Sequence, residues 1–381
     1  MSASRYLAPA LAGALALTLS GCEFGPKLVS QNGYRGTGLD QVSTVKRRAP
    51  QAVPAPPYEL PPADGQRAKE VYQNVQVLGN VSAERFNYLM AAINTWVAPQ
   101  EGADPNNVGC NYCHNPNNLA SDEKYTKVVA RRMIQMTLAI NSRWSSHVKQ
   151  TGVTCYTCHR GNAVPRYVWS MADVAGAQPG GSTKLMGYKH GQDTPSATPA
   201  YASLPYDPFS PYLAGRSNIR VQGRQPLPSA TSHASIARTE LTYGLMMHMS
   251  SALGVNCTFC HNSRAWSDWS QSTPQRVTAW YGIRMARDVN DQYISSLTSV
   301  FPAYRKGPHG DVYKANCQTC HQGLNKPLGG VSMLKDYPDL AGPAAAAPLA
   351  EAPAPGAPPL KTVGEVVQGK EAGAAPTPAT R

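Results

Sequence analysis

Four copies of one short motif constrain this chain of 381 residues more than any other feature. The motif Cys-x-x-Cys-His occurs as CNYCH at 110–114, CYTCH at 155–159, CTFCH at 257–261 and CQTCH at 317–321. In c-type haem attachment both cysteines and the adjacent histidine hold the haem, the histidine as an iron ligand. Zinc sites need four cysteines, or two cysteines and two histidines. The motifs therefore predict four covalent c-type haems, attached through Cys110, Cys113, Cys155, Cys158, Cys257, Cys260, Cys317 and Cys320.

The composition suits a chain whose interior is filled by such cofactors. It contains 33 prolines, 32 glycines and only 5 phenylalanines, and 15% of its residues are charged. This composition indicates much irregular backbone and a modest apolar core. The formal net charge is +12, but the basic residues are scattered, and four haems add about eight carboxylates with ordinary acidic pKa values. The charge therefore does not predict a nucleic-acid partner.

The N-terminus predicts export and a membrane tether. Arg5 precedes an apolar run from Tyr6 to Leu19, and the sequence LSGC then ends at Cys22. A basic start, a short apolar run and small residues are typical of an export signal, and LSGC resembles the lipobox of bacterial lipoproteins. We expect residues 1–21 to be a signal peptide and Cys22 to carry lipid, with an uncleaved hydrophobic anchor as the alternative. No other stretch is long and apolar enough to span a bilayer.

The motifs fall into two blocks that resemble each other. CNYCHN at 110 parallels CTFCHN at 257, and CYTCHRG at 155 parallels CQTCHQG at 317, which indicates duplication of a two-haem unit. We predict a mainly α fold with long irregular loops, in which two two-haem lobes are related by an approximate twofold axis. The predicted segments are an N-terminal arm at 22–80, the first lobe at 81–170, a connection at 171–232, the second lobe at 233–340 and a disordered Ala/Pro-rich tail at 341–381.

Apolar periodicity predicts helices near 82–97, 123–142, 234–253 and 275–297. No run of alternating residues predicts a substantial sheet. Two of these helices precede the first and third motifs, and the other two lie between the motifs of each block. Each helix can therefore bring a side chain to the open face of a haem.

The second axial ligand of each iron decides the function. The first ligand comes from the motif, as His114, His159, His261 or His321. A vacant second position permits substrate chemistry, whereas a filled one leaves electron transfer. Helical methionines ahead of the first three motifs are the candidates, although a methionine in an apolar stripe is often a packing residue. They are Met90, Met133 and Met246, with Met136, Met247, His248 and Met249 as competing neighbours.

The fourth haem has two candidate ligands. The internal repeat aligns Met285 with Met133, because the sequence IRM around Met285 resembles RRM around Met133. His147 lies 14 residues after Met133, roughly 21 Å along a continuous helix, so it cannot serve the same iron. Spacing alone leaves Met285 and His147 as equal alternatives.

The sequence around the motifs resembles that of the tetrahaem cytochrome c subunit of the purple-bacterial photosynthetic reaction centre. The similar stretches lie between about 70 and 340 and include NNLASDEKYTKVVARRM, QTGVTCYTCHRG, LGVNCTFCHN, STPQR, GIRMARD, CQTCHQGLNKPL and LKDYPDL. The resemblance implies Met90, Met133 and Met246 as ligands of the first three haems. It implies His147, opposite His321, as the ligand of the fourth, and a lipid on Cys22.

The same resemblance implies an electron-transfer subunit that is not an enzyme. It would be lipid-anchored at the periplasmic face of the photosynthetic inner membrane and bound to the reaction-centre core. Electrons would come from a soluble cytochrome c or high-potential iron–sulfur protein and would re-reduce the photo-oxidised bacteriochlorophyll pair. The rival interpretations are a multihaem oxidoreductase with an open haem and a general respiratory electron shuttle.

Two segments depart from the family pattern, and two surface features have two interpretations each. The insertion ADPNNVG at 103–109 and the long tail depart from the family pattern. Arg276 is either a haem-propionate partner or a surface residue at a helix start. Acidic residues near the first motif either attract a basic donor or form an ordinary solvated face: Glu101, Asp104, Asp122 and Glu123.

Overall fold

A computed structural model of the chain describes residues 26–31, 40–44, 50–171, 207–219, 221 and 236–342. The predicted signal peptide, Cys22, most of the connection and nearly all of the tail lie outside these residues. The α-helices are α1 (Ala68–Val71), α2 (Ala83–Val97), α3 (Tyr125–Arg143), α4 (Ser145–Val148), α5 (Cys155–His159), α6 (Ile236–Leu253), α7 (Pro274–Asp288) and α8 (Cys317–His321).

Short helical turns connect these helices. Turns of 3₁₀ type are Pro105–Asn107, Gly109–Tyr112, Cys257–Phe259, Ser295–Leu297, Ala303–Arg305, Pro327–Gly330, Leu334–Asp336 and Pro338–Leu340. Turns of π type are Ser210–Ala214 and Val289–Ile294. None of the helices in the described part of the chain combines the length and apolarity that crossing a bilayer requires.

The four predicted helices are confirmed as α2, α3, α6 and α7. The Ser82 side chain caps α2 by accepting a hydrogen bond from the N–H of Arg85, and Pro274 occupies the first turn of α7. The fourth helix was predicted to run to 297, but the α-helix ends at Asp288 and continues as a π turn and a 3₁₀ turn. The wider π turn holds Asn290, whose side chain bonds another segment (below).

A small hairpin in the predicted arm was not predicted. Strand β1 (Lys27–Gln31) pairs antiparallel with β2 (Asp40–Thr44), and Val29 lies opposite Val42. Each strand has only five residues, and Leu28 and Val29 are both exposed, so no apolar alternation marks a buried face. The described chain is nevertheless mainly α, as predicted. Strand β2 lies against the Cys257–Phe259 turn of the third motif.

Two apolar clusters fix the helices that precede the first and third motifs. On α2, Tyr88 and Trp96 pack against Tyr337, with ring centroids 5.2 Å and 4.6 Å apart. On α6, Leu245 is fully buried in a cluster with Trp169, Phe209, Tyr212, Leu213 and Ile283. Residues 333–340 of the predicted second lobe thus pack on a helix of the first. The lobe boundaries and the twofold axis stay predictions.

Candidate haem sites

The first and third motifs have the same local structure. Each forms a 3₁₀ turn, over Gly109–Tyr112 and over Cys257–Phe259. A threonine twelve residues after each motif histidine donates to the carbonyl before the second cysteine. The Oγ1 of Thr126 lies 2.5 Å from the oxygen of Tyr112, and that of Thr273 lies 2.6 Å from the oxygen of Phe259. The helices α3 and α7 are thereby attached to these motifs.

The second and fourth motifs share a different structure. Each is a single turn of α-helix, α5 or α8, followed by one residue in the left-handed conformation. In each, the hydroxyl of the threonine between the cysteines accepts from the backbone N–H that precedes the first cysteine. The pairs are Thr157 with Thr154, 3.0 Å, and Thr319 with Asn316, 2.9 Å. The local structures therefore repeat in the order that the sequence predicts.

Every motif histidine directs one ring nitrogen at a backbone carbonyl. Nδ1 lies 3.0 Å from an oxygen five residues on in the first and third motifs. In the second and fourth motifs it lies 2.8 Å and 2.9 Å from an oxygen three residues on. A proton on Nδ1 leaves Nε2 as the unprotonated atom that binds a metal, and such a partner fixes the ring orientation.

Most of the motif cysteines differ from those of redox dithiols, whereas a hydrogen bond with a neighbouring thiol lowers the pKa of Cys320. Burial raises the pKa of Cys155 to about 11 and that of Cys317 to about 12. The pKa values of Cys113 and Cys260 are likewise raised to about 11, again mainly by burial. Reactive dithiol cysteines have lowered pKa values instead. These side chains therefore suit attachment of a bound group rather than disulfide exchange.

The helices α2 and α6 hold equivalent positions against the second and fourth motifs. The N–H of Gly161, directly after CYTCHR, donates to the oxygen of Trp96 near the end of α2 at 2.9 Å. The N–H of Gly323, directly after CQTCHQ, donates to the oxygen of Ala252 near the end of α6 at 2.8 Å. These two bonds define matching positions along the two helices.

The matching positions distinguish Met246 from its neighbours. Met90 lies six residues before Trp96, and Met246 lies six residues before Ala252. Both side chains are half-buried. The competing His248 is buried against Phe209, with ring centroids 4.6 Å apart. The repeat therefore pairs Met246 with Met90.

Two asparagines clamp the entry to the second and fourth motifs, and the sequence did not reveal them. Asn141 near the end of α3 accepts from the N–H of Val153 at 2.8 Å and donates to its carbonyl at 2.9 Å. Asn290 after α7 does the same with Ala315, at 2.8 Å and 2.9 Å. Val153 and Ala315 each lie two residues before the first cysteine. Each amide also donates to a third segment, at Leu340 and Leu213.

We expect Asn290→Ala to lower the free energy of unfolding by roughly 2–4 kcal/mol, because three hydrogen bonds disappear and buried backbone groups lose partners. Asn141→Ala should give a loss at the lower end of this range, because Asn141 is only half-buried. Chemical denaturation of the haem-loaded protein measures the change. Asn80→Ala at an exposed position is the control, with an expected change below about 0.5 kcal/mol. Equal losses in N290A and N80A would contradict the clamp.

His147 lies directly opposite the histidine of the fourth motif. The ring centroids of His147 and His321 are 6.0 Å apart. The Nδ1 of His147 lies 2.9 Å from the oxygen of Thr278 on α7. Trp144 also holds this segment on α7, because its Nε1 donates to Asp288 at 2.9 Å. Burial lowers the pKa of His147, and burial together with His147 lowers that of His321 to about 4. Both rings are therefore neutral at neutral pH.

These residues fit a haem between the two rings. Imidazoles bound to one metal ion by bonds of about 2 Å have ring centres about 6 Å apart, once the ring radii are added. Nη2 of Arg160 is buried and, within the described residues, has no hydrogen-bond partner, which suits a carboxylate of the bound group. The Sγ atoms of Cys158 and Cys320 are 2.7 Å apart, so the second and fourth sites adjoin.

The remaining candidates have these positions. Met133 and Met285 are half-buried on α3 and α7. Nη1 of Arg276 donates to the oxygen of Asp268 and to Ser272, at 3.0 Å and 2.7 Å, and its guanidinium stacks on Trp269 at 4.1 Å. These contacts hold Arg276 at the start of α7, and its propionate role remains a hypothesis.

The acidic residues near the first motif are not one uniform patch. Arg131 holds the Asp122 carboxylate at 2.7 Å and, with Asn74 and Lys127, keeps its pKa well below the usual range. Glu123 accepts from Asn115 at 2.7 Å. Glu101 is exposed just before the insertion, and Asp104 is exposed within it. The negative charge available to a partner therefore comes from Glu101, Asp104 and the likewise exposed Glu123.

Comparison with known proteins gives the family. The family model of the photosynthetic reaction centre cytochrome C subunit matches residues 24–341, a range that includes all four motifs. The chain is 51% identical over 337 residues to the photosynthetic reaction center cytochrome c subunit of Rubrivivax gelatinosus, with 87% of this chain and 88% of that protein covered. The corresponding protein of Thermochromatium tepidum is 49% identical over 341 residues, with 89% and 81% covered.

A third relative agrees. The photosynthetic reaction center cytochrome c subunit of Roseobacter denitrificans is 40% identical over 329 residues, with 82% of this chain and 85% of that protein covered. The motifs, the helix-rich fold and these matches have one explanation. The chain belongs to the family of photosynthetic reaction centre cytochrome c subunits, which carry covalently bound c-type haem.

Proposed function

We propose that this protein is a four-haem electron relay on the periplasmic face of the photosynthetic membrane. It accepts electrons from a soluble carrier and re-reduces the photo-oxidised bacteriochlorophyll pair of the reaction centre. The names of its relatives support the reaction centre as its partner. Four motifs with paired local structures support four cofactors.

The proposed role of the chain is to hold each iron from both sides. Bound c-type haem supplies a one-electron carrier. The proposed axial pairs are His114 with Met90, His159 with Met133, His261 with Met246 and His321 with His147. The thioether cysteines are Cys110, Cys113, Cys155, Cys158, Cys257, Cys260, Cys317 and Cys320. Backbone carbonyls on Nδ1 keep each motif histidine in the ligating tautomer.

The observation that carries this proposal is the opposition of His147 and His321. An iron held between rings 6.0 Å apart would have no open position for a substrate. A closed site transfers electrons and does not bind substrate. The closed fourth site, together with the methionines proposed for the other three irons, supports a relay over a multihaem oxidoreductase with an open haem. The family supports the reaction centre over a respiratory partner. The contact between Cys158 and Cys320 supports direct exchange between the second and fourth haems.

The proposed localisation rests on the N-terminus. Lipid on Cys22 would tether the protein a few residues before β1, which begins at Lys27. Stable anchoring needs more than one acyl chain, so we propose multiple acylation. For the soluble donor, the exposed Glu101 and Asp104 beside the first motif support a partner with basic surface charge.

A flash experiment on the reaction-centre complex that contains this protein tests the relay. A flash oxidises the bacteriochlorophyll pair, and we expect the haem α-band to bleach in step with re-reduction of the pair. Added soluble donor should then restore the band. A pair that recovers only by charge recombination, with an unchanged α-band, would contradict the proposed function.

A further inference from the structure

The His147 ring occupies space that is free because Gly282 has no side chain. Gly282 lies in the middle of α7, where glycine weakens a helix relative to alanine. A Cβ atom on Gly282 would lie 2.5 Å from Cε1 of His147, 2.8 Å from Nδ1 and 3.2 Å from Nε2. Ordinary carbon contacts are at least about 3.5 Å. Any side chain at 282 therefore displaces the imidazole.

The asparagine clamps identify which residue of the first half corresponds to Gly282. The starts of α3 and α7 are not equivalent, because Thr126 lies within α3 whereas Thr273 precedes α7, so we match the helices from the clamps. Met133 lies eight residues before Asn141, and Gly282 lies eight residues before Asn290. The clamps thus pair Met133 with Gly282. Met285 is only five residues before Asn290.

We propose that Gly282 determines the axial ligand of the fourth haem. In the first half, the helix supplies its own ligand at this position, Met133. In the second half, the same position lacks a side chain, and the space admits His147 from the segment that follows α3. Gly282 is a positioning residue, since it acts through His147. This inference rests on the ligand set proposed above.

A purely structural role for Gly282 makes a different prediction. If glycine only allowed α4 to pack closely on α7, alanine would at most shift that packing and would favour the helix. The iron ligands would then be unchanged. Ligand-sensitive spectra separate the two roles, and electron-transfer activity alone does not.

The first test is Gly282→Ala in the haem-loaded protein. We expect loss of the His/His signal in low-temperature EPR and near-infrared MCD, and appearance of a high-spin haem that binds carbon monoxide. Thr278→Ala, one turn earlier on α7, is the control, because it leaves the carbonyl that holds His147 and adds no atom. It should retain the wild-type spectrum.

The second test asks whether position 282 can supply the ligand. His147→Ala alone should give one carbon-monoxide-binding haem, and His147→Ala with Gly282→Met should suppress that binding and give a fourth His/Met signal. Undiminished carbon monoxide binding in the double variant would contradict the pairing of 282 with 133. A His/His signal that persists in G282A would overturn this inference alone. A wild type without that signal would instead count against the ligand set.

Discussion

Replacement of His147 by alanine opens one iron to external ligands. His147 lies 6.0 Å from His321 between ring centroids, and α7 fixes its Nδ1 through Thr278. Alanine cannot ligate iron, and an iron with one open position binds small ligands. We expect carbon monoxide binding to rise from none to about one molecule per protein. The absorbance difference spectrum of the reduced protein measures it.

The matched control for this variant is Met285→Leu. Methionine and leucine have similar volumes, so the change preserves packing at a cost below about 1.5 kcal/mol. The account predicts no carbon monoxide binding in M285L, because Met285 is not the counterpart of Met133. Binding in M285L and none in H147A would show that Met285 is the ligand and that the proposed axial pair is wrong.

Removal of the second haem should cost more stability than removal of the first. Cys155 is only 9% exposed and lies in the cluster with Trp96 and Tyr337, whereas Cys110 is exposed. Haem loss at the second motif therefore leaves a large gap inside the molecule. For Cys155→Ala with Cys158→Ala, we expect one haem fewer and a loss above about 4 kcal/mol in the free energy of unfolding.

The matched control is Cys110→Ala with Cys113→Ala. It should also remove one haem, but we expect a smaller loss of stability, about 1–3 kcal/mol. The pyridine haemochrome spectrum gives the haem content, and chemical denaturation gives the stability. Equal destabilisation by the two double variants would contradict the buried position of the second motif. An unchanged haem content in either would contradict its attachment role.

The sequence predicted the parts of this structure that depend on local patterns. Helical periodicity located α2, α3, α6 and α7, and the motifs predicted c-type haem. The sequence similarity between the two blocks also predicted which motifs share a local structure. These features need only neighbouring residues, so one sequence is sufficient to find them.

Features that depend on distant partners were not predictable. Asn141 and Asn290 act on backbone far along the chain, and no local pattern distinguishes them from solvated asparagines. The match of IRM with RRM predicted Met285 as a candidate ligand of the fourth haem. Sequence letters alone do not show that counting back from the asparagine clamps pairs Met133 with Gly282. The charge of Asp122 suggested an open acidic patch, but Arg131 already neutralises it.

The most direct test of the account is a low-temperature EPR and near-infrared MCD spectrum of the oxidised, haem-loaded protein. The account predicts three His/Met haems, one His/His haem and no high-spin iron. Four His/Met haems would contradict the role of His147 and Gly282. A high-spin haem in the untreated protein would contradict the closed relay and would favour an enzyme with an open iron site.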